Sequence, residues 1–195
     1  MAKAQSWTCD CGKVVINFNL SSAARVVCYC RDCRAFARYL DHANILTPAG
    51  GTEVVQTLPE RFDFVSGKEH LACLNITGRD RLRWFARCCN TPIATTLSSR
   101  FIPYISVIAA GFPDATTIGP ILAHAHRKHA TPRIKGDMGN MNRVMTGMAL
   151  RAAASFVTLG PWKSPFRAPD GTPVTEVQHM SDDERAHIYD QPAQS

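Results

Sequence analysis

Residues 24–40 read Ala-Arg-Val-Val-Cys-Tyr-Cys-Arg-Asp-Cys-Arg-Ala-Phe-Ala-Arg-Tyr-Leu. The first five, ending at Cys28, form a short strand-like run, and the last ten place Phe36, Tyr39 and Leu40 at helical spacing. At the junction stand Cys28, Cys30 and Cys33, close enough in sequence for one tight turn to wrap a metal. A strand, a thiol-bearing turn and a short helix are therefore expected over 24–40.

Short strand-like runs recur on both sides of this stretch. Residues 14–20 end in strict alternation, with Ile16, Phe18 and Leu20 on one face, and further runs lie at 53–56, 61–65, 71–76, 81–86 and 101–109. Turn-formers separate them: Pro48, Gly50 and Gly51, Pro59, Gly67 and Gly78. Many short strands with frequent turns predict a mainly β body over residues 1–110. Residues 111–195 differ in character and are expected to form a C-terminal extension packed on that body. There Met141, Met145, Met148, Ala149, Ala152 and Phe156 recur at three- and four-residue steps, predicting an amphipathic helix over about 138–157. A methionine stripe of this kind reads as core. Arg151 interrupts it, and the apolar stretch is too short to span a membrane. Gly160-Pro161-Trp162 and residues 165–173 read as an ordered loop or linker, and Ser181-Asp182-Asp183-Glu184 reads as a capping box that opens a short C-terminal helix.

The chain has 195 residues, 45% of them hydrophobic and 19% charged, enough apolar side chain for a core and too little charge for a disordered polypeptide. Eight cysteines are too few for a disulfide scaffold of this length, and the first nine residues hold no apolar stretch that could serve as a signal-peptide core. A cytoplasmic protein is expected, and in that reducing compartment clustered thiols hold metal or do chemistry more often than they cross-link. The 22 basic against 16 acidic residues give a net charge of +6, which seven thiols ionised onto two divalent ions would reduce to about +3. Residues 171–195 are acidic, with five acids and one base.

Seven cysteines fall in three groups: Cys9 and Cys11; Cys28, Cys30 and Cys33; Cys88 and Cys89. Seven ligands divide most naturally into four and three. A closed structural zinc on Cys9, Cys11, Cys88 and Cys89 would clamp the N-terminal strand to the region after Phe85. A second zinc on Cys28, Cys30 and Cys33 would keep one coordination position for water or substrate, as a catalytic metal requires. Adjacent residues in extended chain point apart, so Cys88 and Cys89 can share one metal only through a sharp turn. Cys73 is the other candidate for the fourth structural ligand, although a cysteine in a strand-like run reads first as a small buried hydrophobe.

Cys9-Asp10-Cys11-Gly12, Cys28-Tyr29-Cys30-Arg31-Asp32-Cys33-Arg34 and Arg83-Trp84-Phe85-Ala86-Arg87-Cys88-Cys89-Asn90-Thr91-Pro92 together resemble the glutathione-dependent formaldehyde-activating enzymes and centromere-protein-V-like proteins, over about residues 5–110. The resemblance implies a β-tent fold. It also implies a structural zinc to which Cys9, Cys11 and Cys89 carry over, and a second zinc on Cys28, Cys30 and Cys33 that would bind the thiol of glutathione. The chain departs from the family where Ala86 stands at the first position of the late Cys-x-x-Cys, where Asn90 replaces a glycine, and where Ala35-Phe36-Ala37-Arg38-Tyr39 replaces a small Gly/Ser-containing segment.

An open three-thiolate zinc would hold an incoming thiol as thiolate, which makes a carbon–sulfur lyase acting on a thiol–aldehyde adduct the leading expectation, with a small thiol such as glutathione as partner. Arg31, Arg34 and Arg38 flank the cluster and could meet substrate carboxylates, and His42 could transfer protons. His124, His126 and His129 lack an acidic partner, and no third metal is expected there. The competing reading is a non-catalytic zinc module that binds a partner through Arg127, Lys128, Arg133 and Lys135. Nucleic acid ranks last, because these basic residues lack interleaved aromatics.

Overall fold

Eleven short strands and three α-helices carry the chain in the computed structural model, which describes residues 4–19, 23–136 and 139–190. The strands are β1 (Ala4–Thr8), β2 (Val15–Asn19), β3 (Ala24–Cys28), β4 (Thr52–Thr57), β5 (Phe62–Ser66), β6 (Leu71–Asn75), β7 (Arg81–Ala86), β8 (Thr91–Leu97), β9 (Ile105–Ile108), β10 (Ile121–Ala125) and β11 (Val177–His179). The helices are α1 (Arg31–Tyr39), α2 (Met141–Val157) and α3 (Asp182–Asp190). The mainly β expectation is met. Leu20 and residue 138, which the sequence reading included in the second strand and in the amphipathic helix, lie outside the described residues.

β1, β2 and β5 form a small antiparallel sheet, and the other eight strands form a large one in the order β10-β3-β4-β9-β8-β7-β6-β11. Its interior pairs are antiparallel, while β10 joins β3 and β11 joins β6 in parallel. Both edge strands come from beyond residue 111, so the C-terminal part completes the sheet as well as packing on it.

Two-residue alternation assigns the faces of the large sheet. Leu71, Cys73, Leu82, Trp84, Val55 and Val107 point toward the small sheet and meet Trp7, Ile16, Phe18 and Phe62 in the main core. Ala72, Leu74 and Phe85 point the other way, into a core closed by Phe36 and Leu40 of α1 and by Ile188 of α3. Val26, Val54 and Ile108 share that second face and meet Val144 of α2. One face therefore carries the small sheet, and the opposite face carries α1 with α3 at one end and α2 at the other. Burial on both sides explains why β6 has no polar alternation.

The structure differs from the sequence reading in several places. The run 101–109 yields a strand only at Ile105–Ile108, since Pro103 can give no ladder hydrogen bond. β1, β8, β10 and β11 were not expected. Within α1, Phe36 and Leu40 are buried but Tyr39 is exposed. The capping box forms as read: Ser181 Oγ accepts from the Glu184 N–H at 3.2 Å, and Glu184 Oε2 accepts from the Ser181 N–H at 2.8 Å.

Phe166, in the loop of 165–173, is completely buried, with its ring centroid 5.0 Å from Trp84, 5.5 Å from Phe62 and 5.6 Å from Phe64. It plugs the space between the sheets. Phe166→Ala should cost about 3–5 kcal/mol, the range for truncating a buried aromatic residue. Urea unfolding checks this, and a midpoint equal to wild type would contradict the plug.

Candidate metal centres and an adjoining cavity

Four sulfurs meet where two hairpin turns face each other. Past β1, the chain reverses through Cys9–Gly12: the Gly12 N–H donates to Cys9 O at 2.9 Å, Gly12 takes the left-handed conformation at φ 76°, and the Val14 N–H donates to Cys9 Sγ at 3.3 Å. The β7–β8 hairpin turns through residues 87–90, with Asn90 at φ 56°. Asparagine tolerates that conformation better than other side-chain-bearing residues. This is the sharp turn that lets adjacent Cys88 and Cys89 face the same point.

The neighbouring sulfur separations are 3.6 Å for Cys9–Cys11, 3.3 Å for Cys11–Cys88 and 3.8 Å for Cys88–Cys89, and all four sulfurs lie within 4.8 Å of one another. A tetrahedron of thiolates at the usual zinc distance has edges of about 3.8 Å. This group could hold a metal ion. Cys73 does not join it: the side chain is fully buried in the main core, and burial pushes its thiol up to about 12. Burial raises the Cys9 and Cys88 thiols as well. At Cys89 burial is outweighed by hydrogen bonds from the Thr91 hydroxyl and from the Cys11 and Thr91 backbones, which bring the thiol down to about 6.

Cys28, Cys30 and Cys33 form the second group. Cys28 ends β3, and Cys30 caps α1 by accepting the Cys33 N–H on its sulfur at 3.3 Å. The helix N-terminus thus offers its positive end to the thiolates. Cys30 and Cys33 Sγ are 3.1 Å apart. Among the described residues, no fourth His, Cys, Asp or Glu joins the three. In the metal-free protein their shared hydrogen bonds push Cys28 up to about 11 and Cys33 well above the ordinary thiol range. Hydrogen bonds from Cys28 and Cys33, helped by the Arg83 charge, hold Cys30 far below it. At neutral pH two of the three thiols therefore keep their protons, and metal uptake should release both. Affinity should then rise about a hundredfold per pH unit around neutrality. Chelator competition at two pH values measures this, and a pH-independent affinity would contradict it.

The trio borders a cavity of about 950 Å³ between α1 and α2, at the upper end of the ~300–1,000 Å³ usual for small-molecule sites. Its floor is the helix-bearing face of the large sheet. There Gln56, Ser106, Thr95 and Arg83 stand opposite one another on β4, β9, β8 and β7, a buried polar row across the sheet. Arg83 Nη1 donates to Thr95 Oγ1 at 3.3 Å, and Arg83 Nη2 lies 3.8 Å from Asp32 Oδ2. Three thiolates on a divalent ion would carry one net negative charge, and Arg83, whose charge favours the Cys30 and Cys33 thiolates, would stand beside it as a buried positive group. Gln56 Nε2 donates to Tyr104 Oη at 3.2 Å, and burial raises the Tyr104 hydroxyl above its ordinary range, keeping it protonated. His124 lines the cavity with Nδ1 at 3.1 Å from Tyr29 Oη.

Several expected site residues stand elsewhere. Arg31 stacks on Tyr189 at 4.3 Å, Arg34 Nη1 donates to His129 O at 3.1 Å, and Arg38 Nη1 donates to Ile188 O at 3.1 Å. None of the three lines the cavity; Arg81, Arg83, Arg127 and Lys128 do. His42 is at the four-cysteine group instead, with Nε2 3.1 Å from Cys89 O and Nδ1 3.6 Å from Asp10 Oδ2. The methionine stripe, read as core, is core in part: Met148 is buried and Met141 packs against the cluster of Val26 and Val54, but both also border the cavity together with the exposed Met145 and with Ala149 and Ala152. The alternation of Arg81 and Arg83 in β7 was the available sign of a charged sheet face. Tyr104 carried no comparable signal.

A family model described as a family of unknown function, DUF6151, matches residues 1–177. No curated protein matches the chain. Among solved structures, a crystal structure of a Rhodobacter sphaeroides protein is similar at 20% identity and a TM-score of 0.41, covering 60% of this chain and 96% of that one.

Proposed function

The chain belongs to the DUF6151 family, whose function is unknown, and from its two cysteine groups and the cavity we propose that it is a zinc protein of the β-tent type that cleaves or forms the carbon–sulfur bond of a thiol–aldehyde adduct. The observation that carries this reading is the difference between the groups. Four sulfurs face one another across two turns, whereas three stand at the edge of a cavity with no fourth protein donor among the described residues. The resemblance over residues 5–110 supports it further.

Bound on Cys28, Cys30 and Cys33, zinc would supply a positive centre at which sulfur is held as thiolate. In cleavage, the adduct hydroxyl loses its proton, the carbonyl forms, the carbon–sulfur bond breaks and its electron pair stays on sulfur. The chemistry is redox-neutral and needs no oxidant. His124, His126 and Tyr104 line the cavity and are able to exchange that proton. Arg83 offsets the negative charge gathered at the sulfurs, and the polar row gives the adduct oxygen hydrogen-bonding neighbours.

The test is breakdown of the adduct formed from formaldehyde and a thiol, with the zinc-loaded protein. Positioned proton transfer contributes about 10²–10⁴ in rate, so acceleration on at least that scale over the uncatalysed reaction is expected. Breakdown at the uncatalysed rate for every thiol tried would overturn the reading in favour of two structural metals.

A further inference from the structure

α2 divides its apolar face between two environments. Val144 is buried against Val26, Val54 and Ile108, while Met141, Met145, Met148, Ala149 and Ala152 border the cavity. Met148 is buried, but Met145 is 52% exposed, so the stripe is only partly sealed and leaves apolar surface facing the cavity. Residues 141–152 make a wall about 17 Å long at the helical rise. Methionines shape themselves to varied apolar ligands, and the two alanines leave room beside them. Leu97, Ile102 and Pro103 give the cavity further apolar surface. A cavity of about 950 Å³ is also larger than a small hydrophilic thiol needs.

Charge within the cavity is one-sided. Arg81, Arg83, Arg127 and Lys128 line it against Asp32, and the Asp32 carboxylate already accepts the Tyr189 hydroxyl at 2.7 Å and faces Arg83. Arg127 and Lys128 are exposed in the turn after β10. They have room to meet an acid.

Resting on the reading that the trio holds a metal able to take a thiol, we propose that the ligand of this site is a carboxylate-bearing thiol with a long apolar body. Its sulfur meets the cysteine trio, its body lies along the methionine wall, and its carboxylate is met by the basic side chains.

The experiment loads the protein with Co²⁺ and follows the sulfur-to-cobalt absorption while titrating mercaptoalkanoic acids of increasing length, from mercaptoacetate to mercaptooctanoate. Affinity should tighten by up to about fourfold per added methylene. Met145→Asp, at an exposed position, should flatten that dependence. The double variant Arg127→Gln, Lys128→Gln should erase the advantage of each acid over the mercaptoalcohol of the same length. Thiols that perturb the cobalt spectrum with no dependence on length would overturn this inference and leave the open metal site standing. If no thiol perturbs the spectrum, both fall.

Discussion

Cys11→Ser should destabilise the whole protein. Cys11 is exposed, so serine there sacrifices no packing, and a surface substitution without further consequence stays within about 0.5 kcal/mol. On the proposed reading, the loss comes through the metal. The four-cysteine group lies between the turn after β1, from the small sheet, and the β7–β8 turn of the large sheet, which the Asp10 N–H also bridges by donating to Thr91 Oγ1, and a metal there would tie the two turns together. Structural zinc sites contribute about 10–16 kcal/mol of apparent binding energy, comparable with the ~5–15 kcal/mol stability of a whole domain. Losing even a third of it, about 4 kcal/mol, lowers the melting temperature of a protein this size by about 8–16 °C. Thermal melting by circular dichroism, with metal content measured on the same sample, checks this. A variant that loses the metal but melts with wild type would remove the structural role.

Cys30→Ser should do the reverse. One metal equivalent and the response to thiols should be lost, while the fold survives, because β3 and α1 are held by cores that do not involve the trio: Val26 against Val54 and Val144, and Phe36 against Phe85. The melting temperature should fall by only a few degrees, well short of the Cys11→Ser effect. Adduct cleavage should drop to the uncatalysed rate. Equal loss of stability in the two variants would mean that both groups are structural.

Much of this arrangement could be read from residue types and spacing. β3 and β7 fall at the expected bounds, because runs such as Ala-Arg-Val-Val-Cys offer the backbone little alternative to a strand, and α1 begins at the expected Arg31, with Cys30 as its cap and Cys33 in its first turn. The partition of seven cysteines into four and three also follows from their clustering, and the structure brings together the same two sets. The placement of His42 and of Arg31, Arg34 and Arg38 was not legible. Proximity in sequence to the trio says nothing about which side of α1 a residue leaves from, and Tyr189, His129 and Ile188, which these arginines meet, lie some 95–158 residues away. The wall formed by α2 was hidden for a similar reason. Periodicity shows that a helix has an apolar face, but the same pattern serves a face sealed by a core and a face that borders a cavity. β11 was missed because a strand of three residues carries too short a pattern to stand out.

The central claim is that the two cysteine groups bind metal differently, one closed by protein and one with a position left for a ligand. Elemental analysis combined with sulfur and zinc X-ray absorption on freshly purified, reduced, metal-loaded protein tests it most directly. Two zinc ions per chain sharing seven sulfurs, with one oxygen or nitrogen neighbour completing the second, are expected. A single zinc per chain, or two ions with four sulfurs each, would contradict it.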